Sequence, residues 1–244
     1  MNPNAFATLP LTPTFLANLD TLGYHEMTTI QAQSLPPVLE GRDLIAQAKT
    51  GSGKTAAFGI GILHKLNPAW FAVQGLVLCP TRELADQVAN ELRRLARGEG
   101  NIKVLTLTGG APMRPQIASL EHGAHIVVGT PGRIRDHLGR GTINLSHVQT
   151  LVLDEADRMT DMGFYDEIAG IVSACPQRRR AMQLGPNQPR PTAGAVSSGA
   201  SRSSENDAGV RVSASAGNPA GSTRAPRCRQ SGGPSARHSS TRLA

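Results

Sequence analysis

Leu44-Ile45-Ala46-Gln47-Ala48-Lys49-Thr50-Gly51-Ser52-Gly53-Lys54-Thr55 is the stretch on which the fold turns. An apolar run, Leu44–Ala46, leads into a loop with two glycines, and a helical pattern from Ala56 to Leu66 follows. Strand, glycine loop and helix in that order is the setting in which such a loop cradles phosphate. Gly51 and Gly53 let the backbone wrap so that successive N–H groups point at an anion, and the helix N-terminus adds partial positive charge there. Lys54 would reach the outer phosphates and the Thr55 hydroxyl would hold Mg²⁺. The general pattern opens with glycine; here that place is Ala48.

Outward from this loop the chain alternates short apolar runs with amphipathic stretches. The runs are Leu44–Ala46, Leu76–Cys79, Val104–Leu107, Ile126–Val128 and Leu151–Leu153, with helices starting near Gly53, Thr81, Met113 and Pro131 and a last one over Tyr165–Ala174. Two helices come first, Pro13–Leu22 and Gln31–Glu40, the second closed by Gly41. Such alternation predicts βαβ units and a mainly parallel sheet, an α/β fold whose strands are apolar because helices cover both faces. Ligands of such sheets bind at the C-terminal strand ends.

The run Thr150–Leu153 ends in Asp154-Glu155-Ala156-Asp157. Read alone, this is also an ordinary acidic helix start. Paired with the glycine loop, it places a carboxylate where a phosphate-loop fold holds Mg²⁺, with Asp154 as holder and Glu155 placed to orient or deprotonate an attacking water.

Residues 1–177 hold 14 Lys and Arg against 16 Asp and Glu, a net of −2, whereas 178–244 hold 11 Arg against 2 acids, a net of +9. The basic balance therefore says nothing about the folded part. From 178 on, Ser, Arg, Ala, Gly and Pro dominate, and too little apolar surface remains to offset chain entropy. We expect residues 184–244 to be a disordered basic tail, residues 1–40 an N-terminal helical region, and 41–183 the nucleotide-binding domain. No apolar run approaches 18 residues, so no membrane span is expected. Scattered cysteines without metal or disulfide spacing, and no signal peptide, fit a cytoplasmic protein.

The glycine loop and Asp-Glu-Ala-Asp together resemble the DEAD-box RNA helicases, in which Ala48 is the usual first loop residue. Over Leu76–Arg97 and around Asp154–Phe164 the sequence most resembles the bacterial DbpA-type subgroup. Gly23-Tyr24, Thr28 and Gln31 resemble the Q motif, with Phe6 as its upstream aromatic and Thr29 where proline is usual. Pro80-Thr81-Arg82-Glu83-Leu84 matches motif Ia, Gly109-Gly110 the GG element, and Thr130-Pro131-Gly132-Arg133 motif Ib.

The resemblance implies a RecA-like domain binding ATP and Mg²⁺. It assigns Phe6, Tyr24, Gln31 and Ala48-Lys49-Thr50-Gly51-Ser52-Gly53-Lys54-Thr55 to ATP. Thr55 and Asp154 fall to the metal, and Lys54, Asp154 and Glu155 to catalysis. Pro80, Thr81, Arg82, Gly109, Gly110, Thr130, Pro131, Gly132 and Arg133 fall to the RNA backbone, and Asp157 to coupling with motif III. Gln31 would read the adenine edge and Phe6 stack on the base; in isolation they read as a helix-surface amide and a core aromatic. RNA, ribosomal RNA in that subgroup, is the implied partner, with no membrane and no obligate protein partner. Gly185-Pro186-Asn187 stands where Ser-Ala-Thr of motif III is expected, and the last strand of the domain and a second domain are not recognised. The tail then reads either as a natural basic extension or, as the mid-strand break favours, as out-of-frame translation. The chain itself is accordingly expected not to unwind RNA. The competing reading is a non-enzymatic RNA- and ATP-binding fragment, or the product of a disrupted gene.

Overall fold

A computed structural model describes residues 4–185, 203–206 and 210–214. Helices α1 (Pro13–Thr21) and α2 (Thr29–Leu39) precede the first strand. Then come β1 (Leu44–Gln47), α3 (Lys54–Lys65), β2 (Gly75–Leu78), α4 (Arg82–Leu95), β3 (Val104–Leu107), α5 (Met113–Glu121), β4 (Ile126–Gly129), α6 (Pro131–Gly139) and β5 (Thr150–Asp154). Two helices, α7 (Ala156–Asp161) and α8 (Tyr165–Ala174), lead to β6 (Arg180–Gly185), and β7 (Ser203–Asn206) and β8 (Val210–Ala214) follow.

The strands form one sheet in the order β3-β4-β2-β5-β6-β1-β8-β7. The first six run parallel; β8 pairs antiparallel with β1, and β7 with β8. The expected βαβ architecture is thus present, and α7 is an addition, a helix too short to show periodicity in sequence. On one face, α2, α3 and α4 bury Leu35, Val38, Phe58, Ile60, Ile62 and Leu92 against Leu44, Ala46, Val77, Val128, Val152, Met182 and Leu184. On the other, Ile134, Met159 and Ile171 from α6, α7 and α8 pack on Leu76, Leu78, Val127 and Leu151.

The second layer does not extend over β6, β1 and β8. Their burial alternates, and Ile45, Ala181, Gln183 and Arg211 on that face are exposed, Ile45 at 51%. Arg180 points into the first layer instead. Its guanidinium donates to Val38 O, Gly61 O and Thr150 Oγ1 (2.7, 3.3 and 2.9 Å), and burial pushes its pKa down despite Asp43 nearby.

Within the segment expected to be a disordered tail, a few residues are described. The strand reached at Arg180 continues to Gly185, and Val210 and Val212 are buried at 6% exposure against β1. Composition averaged over the tail hid a local Val-Arg-Val alternation, which suits a strand with one open face. The rest of that segment lies outside the described residues, Pro186 and Asn187 of the Gly-Pro-Asn triplet among it.

Candidate active site

Every motif singled out above, apart from the Q motif, lies at a C-terminal strand end. The glycine loop follows β1, Pro80–Arg82 follow β2, Gly109-Gly110 follow β3, Thr130–Arg133 follow β4, and Asp154–Asp157 close β5. The strand order puts the β3, β4 and β2 loops side by side on one half of this edge. The β5 and β1 loops stand on the other half, with β6 between them. Two neighbouring sites result from one sheet.

The glycine loop is closed on itself. Lys54 Nζ donates to Ala48 O and, at 2.9 Å, to Lys49 O. Burial pulls the Lys54 pKa down, against the pull of Asp154, Glu155 and Asp157. Gly53 caps α3 in the left-handed region at φ 92°, and a Cβ there would lie 2.6 Å from Gln31 Nε2. Gln31 explains that crowding: its Oε1 accepts from Thr28 N (2.9 Å) and its Nε2 donates to Gly53 O (3.2 Å). Thr28 Oγ1 donates to Ser52 O at 2.8 Å. The start of α2 is therefore strapped to the loop, and the Gln31 amide, 1% exposed, is already engaged.

Phe6 and Tyr24 are not presented as open stacking platforms. Phe6 is buried at 4% exposure with its ring edge-on to Tyr24, centroids 6.3 Å apart. The Tyr24 hydroxyl donates to Glu91 Oε1, and burial, then that carboxylate, push its pKa up to about 12. An apolar ring with no partner in solvent is drawn into the first layer.

On the far side of β6, Asp154 is 4% exposed. Burial, then the neighbouring Glu155 charge, push its carboxyl from 3.8 up to about 6, with Lys54 acting against them. A buried acid destabilised by a like charge is a fitting place for a cation. Glu155 has φ 53° and ψ 50°, and among the described residues no other non-glycine has a positive φ. Such backbone strain collects at functional sites, and sequence offers no signal for it. Its carboxylate accepts from Arg158 Nη1 at 3.1 Å. Asp157 Oδ1 is buried without a hydrogen-bond partner, and a Cβ added to Gly185 would lie 3.2 Å from it.

The other half of the edge is built from helix starts and a glycine turn. Thr81 caps α4, its hydroxyl accepting from Leu84 N at 3.3 Å, and Thr130 with Pro131 opens α6. Gly110 has φ 78°, and a Cβ there would collide with the Arg82 guanidinium, which donates to Gly109 O at 3.4 Å. Arg133 donates to Ala111 O (3.1 Å) and to Gln116 Oε1 (3.0 Å), with Asp136 beside it. The structure thus brings Arg82, Gly109, Gly110 and Arg133 together. It also adds Gln116, which the sequence reading passed over because a glutamine on a polar helix looks like a surface residue.

Among the described residues no cluster of His, Cys, Asp and Glu could hold a metal by itself. Any ion here would depend on ligands from a nucleotide and water. No described helix is long and apolar enough to cross a membrane.

The profile of the DEAD/DEAH box helicase family matches residues 28–185. The ATP-dependent RNA helicase DbpA of Escherichia coli (strain K12) is 56% identical over 179 residues, 73% of this chain and 39% of that protein. The DEAD-box ATP-dependent RNA helicase CshA of Geobacillus kaustophilus is 45% identical over 186 residues, 76% of this chain and 40% of that protein. Among solved structures, a DEAD box protein from the hyperthermophile Methanococcus jannaschii superposes with a TM-score of 0.71 at 41% identity, over 75% of this chain and 50% of that one. The chain thus spans about two-fifths of the length of the curated relatives it matches.

Proposed function

The chain belongs to the DEAD/DEAH box helicase family, and from this we propose that it is the ATP- and RNA-binding N-terminal domain of an ATP-dependent RNA helicase. The observation that carries the proposal is the glycine loop and the buried Asp154 on either side of β6, at the same sheet edge as Gly109-Gly110 and Thr130–Arg133. ATP binding requires Lys54 to leave Ala48 O and Lys49 O for the outer phosphates. The loop amides and the α3 N-terminus take the rest of the phosphate charge. Thr55 and Asp154 are the residues that would hold Mg²⁺, which neutralises charge on the phosphates when bound. Glu155, held by Arg158, orients the attacking water and takes its proton. Gln31 exchanges its bonds to Thr28 and Gly53 for the adenine edge.

The helix starts at Thr81 and Thr130 and the Gly109-Gly110 turn offer hydroxyls and amides to the RNA backbone, contacts that fix position without reading sequence. Ribosomal RNA is the target proposed from the subgroup resemblance, and a cytoplasmic location from two buried free thiols, Cys79 and Cys175. Hydrolysis coupled to strand separation is proposed for the full-length protein. For these 244 residues a second reading has an observation of its own: the unpartnered Asp157 Oδ1 beside Gly185 favours nucleotide binding without coupling. Lys54→Ala is expected to abolish binding of a fluorescent ATP analogue; unchanged binding would refute the site.

A further inference from the structure

Helix α5 buries one side chain, and it is the amide of Gln116. The three groups around it leave no freedom in how it is oriented. Thr108 O can only accept, so the nitrogen, Nε2, faces it at 3.0 Å. The Arg133 guanidinium can only donate, so the oxygen, Oε1, faces Nη1 at 3.0 Å. That oxygen also meets His137 Nε2 at 3.1 Å, which must therefore carry the hydrogen. His137 is fully buried, its Nδ1 2.8 Å from Thr142 Oγ1, and burial and the Arg133 charge push its pKa down, so the neutral ring persists at neutral pH.

The consequence falls on the turn after β3. Gln116 holds Thr108 O, Arg82 holds Gly109 O, and Arg133 holds Ala111 O. Carbonyls at three positions of a four-residue segment are tied to side chains on α4, α5 and α6. No described protein group accepts from the amides of Gly109, Gly110 and Ala111.

We propose that Gln116 is a positioning residue for RNA. By clamping Thr108 O and seating Arg133, and with His137 buttressing it, it holds the Gly109–Ala111 amides ready for a sugar-phosphate backbone. This rests on the proposed reading of that turn as an RNA contact. Preorganised amides bind an anion without first ordering a loop, so loss of the clamp lowers RNA affinity while leaving the distant glycine loop alone.

The test uses the 1–244 chain with Gln116→Met, close in shape but without the hydrogen bonds, and Gln116→Glu, which still accepts from Arg133 and His137 but cannot donate to Thr108 O. Three quantities are measured on each: amide hydrogen exchange across 108–112 without RNA, affinity for a single-stranded oligoribonucleotide, and affinity for a fluorescent ATP analogue. Both variants are expected to exchange faster at 109–111 and to bind RNA about tenfold more weakly, the equivalent of one lost hydrogen bond, with ATP-analogue affinity within about twofold. Unchanged exchange in both variants overturns the clamp. Faster exchange with unchanged RNA affinity overturns the link to RNA. Arg82→Ala separates the two levels: if it too leaves RNA affinity unchanged, the turn is not an RNA contact and the underlying reading fails. If Gln116→Met does not fold, Gln116→Glu decides alone.

Discussion

The two flanks of the sheet are built to different standards. Across β2 and β4 every residue is buried, with helices on both faces, whereas β1, β6 and β8 bury only alternate residues and leave Ile45, Ala181, Gln183 and Arg211 on an open face. The nucleotide half of the edge thus stands beside the thinner flank, and the proposed RNA half on the thicker one. The difference teaches where the fold's stability resides. The loops after β2, β3 and β4 project from a doubly covered layer. The glycine loop depends on β1, third from the β7 edge of the sheet.

The largest expected effect separates the flanks directly. Leu76→Ala, fully buried in β2, should cost roughly 2–5 kcal/mol in urea unfolding, while Ile45→Ala on the open face should stay within about 0.5 kcal/mol. Similar costs for both would mean that something covers β1.

Asp154 sharpens the comparison through pH. Its folded value, about 6, lies above its ordinary 3.8, so the protonated carboxyl favours the fold below that window and the charge opposes it above. Asp154→Asn should therefore stabilise the protein at pH 7.5 by about 3 kcal/mol. The gain should shrink as pH falls through 6 towards 4. A pH series of melts of wild type and variant would show it, and a gain independent of pH would remove the charge as its cause.

Val212→Lys tests whether β8 secures the thin flank. Burial of this valine against β1 is worth about 1.5–3 kcal/mol, and the melt should fall accordingly. No change would mean β1 is stable as an edge. The smallest effect is at Gly185→Ser, which brings a hydroxyl to the orphaned Asp157 Oδ1. A gain of about 0.5–1 kcal/mol is expected, measured by chemical denaturation. A loss would show that the 3.2 Å approach is too close for the added Cβ.

The strands from β1 to β5, and most helices, were legible because apolar runs and turn residues agree with the fold at each step. The glycine loop and Asp154-Glu155 were legible as a pair. What escaped the sequence is what depends on tertiary context. Arg180 reads as the third of three arginines that open a basic segment, and only the alternation of β6 turns it inward to Val38, Gly61 and Thr150. Gln116 reads as a helix-surface amide until β3 and α6 close around it. The left-handed backbone of Glu155 leaves no trace in composition, and β8 is five residues in a segment whose average argues against structure.

The self-closed glycine loop has a kinetic and thermodynamic meaning of its own. Lys54 on Ala48 O and Lys49 O, with Gln31 on Gly53 O, acts as an internal competitor for the ligand. If these bonds favour the shut form by about 2 kcal/mol, only about one molecule in thirty is open at a given moment, and apparent nucleotide affinity falls by that same factor. Nucleotide would then meet a site that must first open, because the empty form carries its own occupant.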